Sequence, residues 1–264
     1  MPEGHTIHRA ANDQRAFFVG KVLEITSPQG RFASGAELLN GHTCNAIEAY
    51  GKHLLYHFEA GHTLHIHLGL YGQFRSGKIP AAEPRGAVRV RLKSDVRLID
   101  INGPNTCEVL DRDGVENLIK RIGPDVLRAD ADPTKAWTKI SKSRVSIGQL
   151  LMDQSVIAGI GNIYRTEILW RQKVHPELSG KFVDRETFDR LWEDGVKLLQ
   201  LGVKHNAIIT VDRVTKSRSR YGERVNIFAK DICPGCQSEI RKFEIAGRRA
   251  FMCEMCQTMP CPVQ

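Results

Sequence analysis

The chain has 264 residues, 41% of them hydrophobic, and a formal charge of +8. At ~150 residues per domain there is room for roughly two domains with real cores, which excludes wholesale disorder. The positive balance points to a polyanionic partner, nucleic acid or an anionic membrane surface, but no apolar run approaches the ~20 residues that span a bilayer.

In chain order, the first feature is Met1-Pro2-Glu3. Removal of the methionine leaves a secondary amine at Pro2 beside a carboxylic acid; read alone, Pro2 is simply a good first residue for a helix. The start MPEGHTIHRA has no apolar signal core, so a cytoplasmic location is expected. Ile7, Ala10, Ala11, Phe17 and Phe18 predict a helix over 3–19 that Gly20 can end. Strands are predicted at 21–28, 43–50, 52–59, 63–68, 88–93, 96–102 and 107–111; Thr63–Leu68 and Val88–Lys93 alternate apolar and polar residues, as half-buried strands do. This run of short antiparallel strands implies a β-sandwich or barrel. His65 and His67 share a strand face, but two ligands fall short of the three or four a metal site needs.

From residue 113 the pattern turns helical, with helices predicted at 113–121, 133–141, 144–154, 162–172 and 185–203. Asp132-Pro133 and Asp184 read as helix starts. Residues 210–230, with Arg213, Lys216, Arg218, Arg220 and Arg224, read as a basic linker that touches a partner. There is no internal repeat.

Four of the seven cysteines fall as Cys233-x2-Cys236 and Cys253-x2-Cys256, with sixteen residues between the pairs. Two such knuckles offer four thiolates in the tetrahedral set Zn²⁺ takes in a zinc ribbon, and a site closed by four protein ligands is structural. Gly247 is placed for the tip of the intervening hairpin, displaying Arg248 and Arg249. The run Leu150–Tyr164 carries a helix into the turn Gly159-Ile160-Gly161 and opens another at Asn162. N–H groups at such a turn, with a helix dipole behind them, suit an anion such as a DNA phosphate.

Met1-Pro2-Glu3-Gly4, Gly51-Lys52-His53-Leu54-Leu55, Arg121-Ile122-Gly123-Pro124-Asp125-Val126-Leu127, the run 150–164 followed by Glu167-Ile168-Leu169, and the cysteine module occur in an order that is specific as a set. On these residues the chain resembles, over nearly its whole length, the bifunctional DNA glycosylases of the formamidopyrimidine-DNA glycosylase and endonuclease VIII family. The resemblance implies an α+β multidomain fold: an N-terminal helix and two-layer antiparallel β-sandwich at 1–112, a helix-two-turns-helix domain at 113–218, and a linker with a zinc finger at 219–264, with DNA in the cleft between.

It further implies a catalytic set of Pro2, Glu3, Lys52 and Arg248. The Pro2 amine is the nucleophile that forms a Schiff base with the opened sugar. An α-amine titrates near 8 and a lysine near 10.4, so at neutral pH the nucleophilic fraction at the terminus is larger by a factor on the order of a few hundred. Glu3 is the general acid/base, Lys52 contacts phosphate and assists the eliminations, and Arg248, five residues before Cys253, holds the phosphates of the flipped nucleotide. Asn162 binds phosphate, and Arg121 packs or binds DNA nearby. Leu70-Tyr71 is the wedge that fills the space a flipped base leaves.

The partner implied is damaged double-stranded DNA, with single-stranded or bubble DNA as a further option; the protein is a monomer, off the membrane, with one structural Zn²⁺ on Cys233, Cys236, Cys253 and Cys256. The wedge, and Asn102–Cys107 in place of the guanine-repair branch's Arg-Arg-Phe-Gly, favour the endonuclease VIII branch and oxidised pyrimidines. Thr6, where a carboxylate is usual, and Gly69, where glutamine is usual, depart from the pattern. Two rival readings are a non-catalytic or abasic-site-restricted DNA-binding protein on the same fold and a zinc-ribbon RNA-binding factor.

Overall fold

The computed structural model describes residues 2–212 and 221–260. Met1, and the linker positions Arg213, Lys216, Arg218 and Arg220, lie outside the described residues, as does Cys261. Two compact units divide the chain at Arg121.

The first unit opens with α1 (Gly4–Phe18), whose buried face carries Ile7, Ala11, Gln14 and Phe18. Nine strands follow, interrupted by the short helix α2 (Ala33–Leu39) and closed by α3 (Arg112–Arg121). They are β1 (Lys21–Val22), β2 (Glu24–Thr26), β3 (Thr43–Tyr50), β4 (His53–Phe58), β5 (Thr63–His67), β6 (Gln73–Lys78), β7 (Val88–Lys93), β8 (Arg97–Asn102) and β9 (Thr106–Leu110). One sheet runs β1-β3-β4-β5-β9 and the other β2-β7-β8-β6, every pairing antiparallel. Alternation explains the layering: Val88, Val90 and Leu92 face inward while Arg89, Arg91 and Lys93 stay half-exposed. Ile47, Leu54, Leu64 and Ile66 from one sheet meet Val90, Leu92, Ile99 and Ile101 from the other in a single core. Each such side chain contributes ~1.5–3 kcal/mol when fully buried.

Two elements have no counterpart in the sequence reading, and one expected helix is corrected. Ala33–Leu39 is helical, although it has no side-chain cap and contains Gly35. Gln73–Lys78 is a strand; it pairs only with β8 at the sheet edge and half-buries only Phe74 and Gly77, so it lacks the alternation that marks a strand in sequence. The helix expected over 144–154 is only one turn, α5 (Ile147–Leu150), because Ser146 caps it late and Asp153 folds the chain back onto the N–H of Ser155.

The second unit holds α4 (Pro133–Ile140), α5, α6 (Asn162–Arg171) and α7 (Arg185–His205), then the hairpin β10 (Arg241–Ile245) and β11 (Arg248–Met252). Asp132 accepts from the N–H of Thr134 at 2.9 Å and Asp184 from that of Thr187 at 2.7 Å, the caps read from the sequence. The Arg121–Leu127 motif now has a physical reason. A side chain at Gly123 would overlap the carbonyl of Val156, and the N–H of Gly123 bonds the Gln154 carbonyl at 2.8 Å, so motif and Gly-rich turn are woven together.

The described flank of the basic linker is firmly held. Glu167, fully buried on α6, accepts from Thr210 Oγ1, from the backbone and side-chain nitrogens of Asn226, and from the N–H groups of Ile227 and Phe228, all at 2.6–3.0 Å. A buried carboxylate is stable only with such a set of donors.

Candidate active site

The first unit carries Pro2 and Glu3, the amine and acid expected from the sequence. Pro2 is half-buried, and Glu3 behind it is fully buried at the N-cap of α1, with extended backbone at φ −117° and ψ 178°. The positive end of the helix dipole favours a carboxylate there. Thr6 stands one turn in; its N–H bonds the Glu3 carbonyl at 2.9 Å and its hydroxyl lies 3.3 Å from His5 Nε2. Burial foremost pulls His5 down to about 4, so this imidazole is neutral at physiological pH.

Lys52 sits in the turn from β3 to β4, half-buried, behind Gly51 at φ +58°. His53 follows, and β4, β5 and β9 bring His65, His67 and Glu108 beside it. His53 Nδ1 lies 2.8 Å from His65 Nε2, His65 Nδ1 2.9 Å from Glu108 Oε1, and the His53 and His67 ring centres are 4.8 Å apart. Burial, then the neighbouring His65 and His67, then Arg121 and Lys52, take His53 down to about 3; His65 and His67 are also lowered, first by burial. His53 Nδ1 and His65 Nε2 are turned on each other, and the only cluster among the described residues able to hold a metal is the cysteine set.

These histidines make the first unit acid-sensitive. An unfolded histidine titrates near 6.5, whereas folded His5 and His53 do so near 4 and 3. Between these values the unfolded chain binds more protons, so the stability is complete above about pH 6.5 and is lost as pH falls. Thermal midpoints should drop between pH 7.5 and 5.0, and His53→Asn should flatten that slope; an unchanged slope would count against the buried neutral ring.

Beyond β5, Leu70 and Tyr71 project at 42% and 88% exposure. The departure at Gly69 has a steric cause. The residue has φ +67°, and a Cβ there would lie 2.8 Å from that of Asn105. Asn105, whose N–H bonds the His67 carbonyl at 2.8 Å, occupies the space a residue-69 side chain would need. Arg121, exposed at the end of α3, belongs to this unit and depresses both His53 and His65 electrostatically.

The second unit carries a grip around Asn162. Its side chain is 7% exposed; Nδ2 donates to the Arg249 carbonyl at 3.0 Å, and Oδ1 accepts from the Arg165 guanidinium. Arg165, fully buried, also donates to the Arg249 carbonyl at 3.3 Å. It was not singled out in the sequence, although Asn162 and Arg165 stand three apart on one helix face. Gly159 cannot offer its N–H to an anion, since it bonds Gln154 Oε1 at 3.1 Å.

The grip fixes the hairpin tip. Ala246 and Gly247 at φ 49° and 69° make the two-residue turn between Ile245 and Arg248, and Arg248 and Arg249 are exposed beside it. Below, the sulfurs of Cys233, Cys236, Cys253 and Cys256 all lie within 4.8 Å of one another and could bind a metal ion. Cys44 and Cys107, in contrast, are thiols that burial pushes up to about 12.

Residues 1–107 match the formamidopyrimidine-DNA glycosylase N-terminal domain, and residues 122–213 the formamidopyrimidine-DNA glycosylase H2TH domain. The chain is 41% identical over 268 residues to endonuclease 8 1 of Mycobacterium tuberculosis, covering 98% of this chain and 100% of that one. It is 30% identical to endonuclease 8 of Salmonella arizonae, covering 97% and 100%. Among solved structures, a Lactococcus lactis Fpg complex with DNA containing an abasic site superposes with a TM-score of 0.81 at 25% identity, over 98% of this chain and 100% of that one. A second Lactococcus lactis Fpg complex, with DNA containing N7-benzyl-Fapy-dG, gives 0.82 at 24%, with the same coverage, and speaks for the fold alone.

Proposed function

The chain belongs to the formamidopyrimidine-DNA glycosylase family, and from that membership we propose how its residues divide the work of repair. It is a base-excision repair DNA glycosylase with abasic-site lyase activity. The observation that carries the mechanism is the fully buried carboxylate of Glu3, directly behind Pro2 at the head of α1.

In this reading the Pro2 nitrogen attacks C1′ of the damaged nucleotide. The bond to the base breaks, and Glu3 delivers a proton to the opening sugar ring. The resulting iminium is permanently cationic because proline is a secondary amine. The C2′ proton passes to solvent, the electrons of that bond flow toward the iminium as the 3′ phosphate leaves, and loss of the C4′ proton to solvent then expels the 5′ phosphate. Lys52 and Arg248 neutralise charge on those phosphates. Asn162 binds phosphate with them and also fixes the hairpin that bears Arg248, and Arg121 adds positive charge beside Lys52. Leu70 and Tyr71 enter the space the flipped nucleotide vacates, replacing stacking worth a few kcal/mol.

The four cysteines suit Zn²⁺, and a closed four-thiolate set assigns the ion a structural part. The substrates we assign are oxidised pyrimidines in duplex DNA. The support is the 41% identity to an endonuclease 8, the Leu70-Tyr71 wedge and the absence of Arg-Arg-Phe-Gly at Asn102–Cys107. We assign a monomer that works in the cytoplasm on chromosomal DNA, with single-stranded or bubble DNA as a secondary substrate.

Borohydride trapping on oligonucleotides carrying thymine glycol, oxoguanine or an abasic site tests this reading. The expected result is a covalent adduct on abasic and thymine glycol DNA, with less on oxoguanine. No adduct with the wild type, or an undiminished one after Pro2→Gly with Glu3→Gln, would overturn the mechanism.

A further inference from the structure

A line of three side chains in the first unit starts at the surface and ends at the residue after Lys52. Glu108 on β9 is half-exposed, and Glu108 Oε1 lies 2.9 Å from Nδ1 of His65, the residue directly opposite on β5. His65 is buried, and its Nε2 lies 2.8 Å from Nδ1 of His53 on β4.

The chemistry of the partners fixes every proton in this line. An ionised carboxylate only accepts, so His65 Nδ1 carries hydrogen and its Nε2 is a lone pair. His53 Nδ1 must then carry hydrogen to donate to that lone pair. The remaining nitrogen, His53 Nε2, is left as an acceptor. Its surroundings favour a neutral ring. Burial, the other two histidines, and the cations Arg121 and Lys52 all oppose charging it; Tyr50 stands opposite on β3. Among these groups Glu108 alone carries negative charge, and it acts on His65 rather than on His53.

We propose that Glu108, His65 and His53 form a tautomer lock that makes His53 a positioning residue for Lys52. The lone pair held on His53 Nε2 accepts from the Lys52 ammonium and steadies it for its phosphate contact. With the opposite tautomer, the same ring would turn an N–H toward a cation and push it away. No proton is consumed and no bond changes during the reaction; the line sets a direction, as a carboxylate behind a ligating or catalytic histidine does. The inference rests on the role given above to Lys52.

Glu108→Gln tests it. Glutamine keeps the length, but its amide can donate to His65 Nδ1 as well as accept from it, so neither ring is held to one tautomer. Nitrogen-15 shifts of the imidazoles read the tautomers directly. In the wild type His53 and His65 should both be Nδ1–H, and in Glu108→Gln a mixture that includes Nε2–H should appear. Single-turnover elimination on abasic DNA should then fall by about 10–100-fold with DNA affinity unchanged, and Glu108→Asp should recover part of the loss. Mixed tautomers with an unchanged rate would overturn the lock, and so would wild-type rings of the opposite tautomer or rings that stay wholly Nδ1–H in Glu108→Gln. Lys52→Ala separates the two levels. If it leaves elimination intact, the role of Lys52 fails and the lock with it; if it abolishes elimination while Glu108→Gln mixes the tautomers harmlessly, only the lock fails.

Discussion

Replacing Glu3 by glutamine lowers the single-turnover rate of base release by about 10²–10⁴-fold, the usual contribution of a positioned general acid. Affinity for duplex DNA with an uncleavable abasic analogue stays within about twofold. The reasoning starts from burial. Glu3 is fully buried at the N-cap of α1, so truncation to alanine would open a cavity and confuse folding with chemistry. Glutamine has the same shape and still hydrogen-bonds, but it cannot deliver and retrieve a proton. The effect should also divide by substrate. On an oxidised base, the bond to the base and the ring opening both need the acid; on DNA that is already abasic, the open sugar reaches the Pro2 amine without it. The ratio of base release to abasic cleavage should therefore collapse in Glu3→Gln, measured by rapid quench on paired substrates. An equal loss on both would assign Glu3 to the lyase steps instead. A molecule that retains Met1 gives the complementary result. Its Pro2 nitrogen is an amide without a nucleophilic lone pair, so it should bind DNA and form no borohydride adduct.

How much was legible in the sequence follows from which interactions are local. α1 and β7 bury helically spaced or alternate residues, and their periods can be read directly; β5 instead buries Thr63, Leu64, His65 and Ile66 alike, so it is not the half-exposed strand its alternation predicts. The caps at Asp132 and Asp184 depend on residues two or three positions away. β6 could not be read, because an edge strand pairing with β8 alone needs no continuous apolar face. The same division runs through the site. Pro2, Glu3, Lys52 and the four cysteines stand in ordered motifs. The Glu108–His65–His53 line exists only through the pairing of β4, β5 and β9, across 43 positions between its first two members. Arg165 was not singled out, because its buried bond to a carbonyl 84 positions away has no local signature. Gly69 was noticed as a departure, but its reason is the approach of Asn105, a contact between two loops.

Removing the metal from the cysteine module should unfold that module and reduce affinity for lesion-containing DNA by tenfold or more, on the order of 1.4 kcal/mol per decade. The module has little else to hold it. Its core is Ile227, Ile240 and Phe251 packed with Cys233 and Cys253, and an isolated two-stranded hairpin is marginal in water. Structural zinc in comparable modules supplies about 10–16 kcal/mol of apparent folding energy, far more than such a core can replace. The consequence for the site runs through one carbonyl. Arg249 accepts from Asn162 and Arg165, so loss of the hairpin frees Arg248 from its position and strips partners from two buried polar side chains. Trp170 packs against this small core, and its Cζ2 would stand 3.5 Å from a Cβ at Gly235 in the first knuckle, so its fluorescence should change in step with metal release. Far-ultraviolet circular dichroism should change little, because the two large cores lie elsewhere. Re-addition of Zn²⁺ should restore both signals, and Trp170→Phe should lose the optical one while keeping the loss of DNA affinity. If chelated protein, shown to be metal-free, kept full affinity, Arg248 would have to be withdrawn from the phosphate grip.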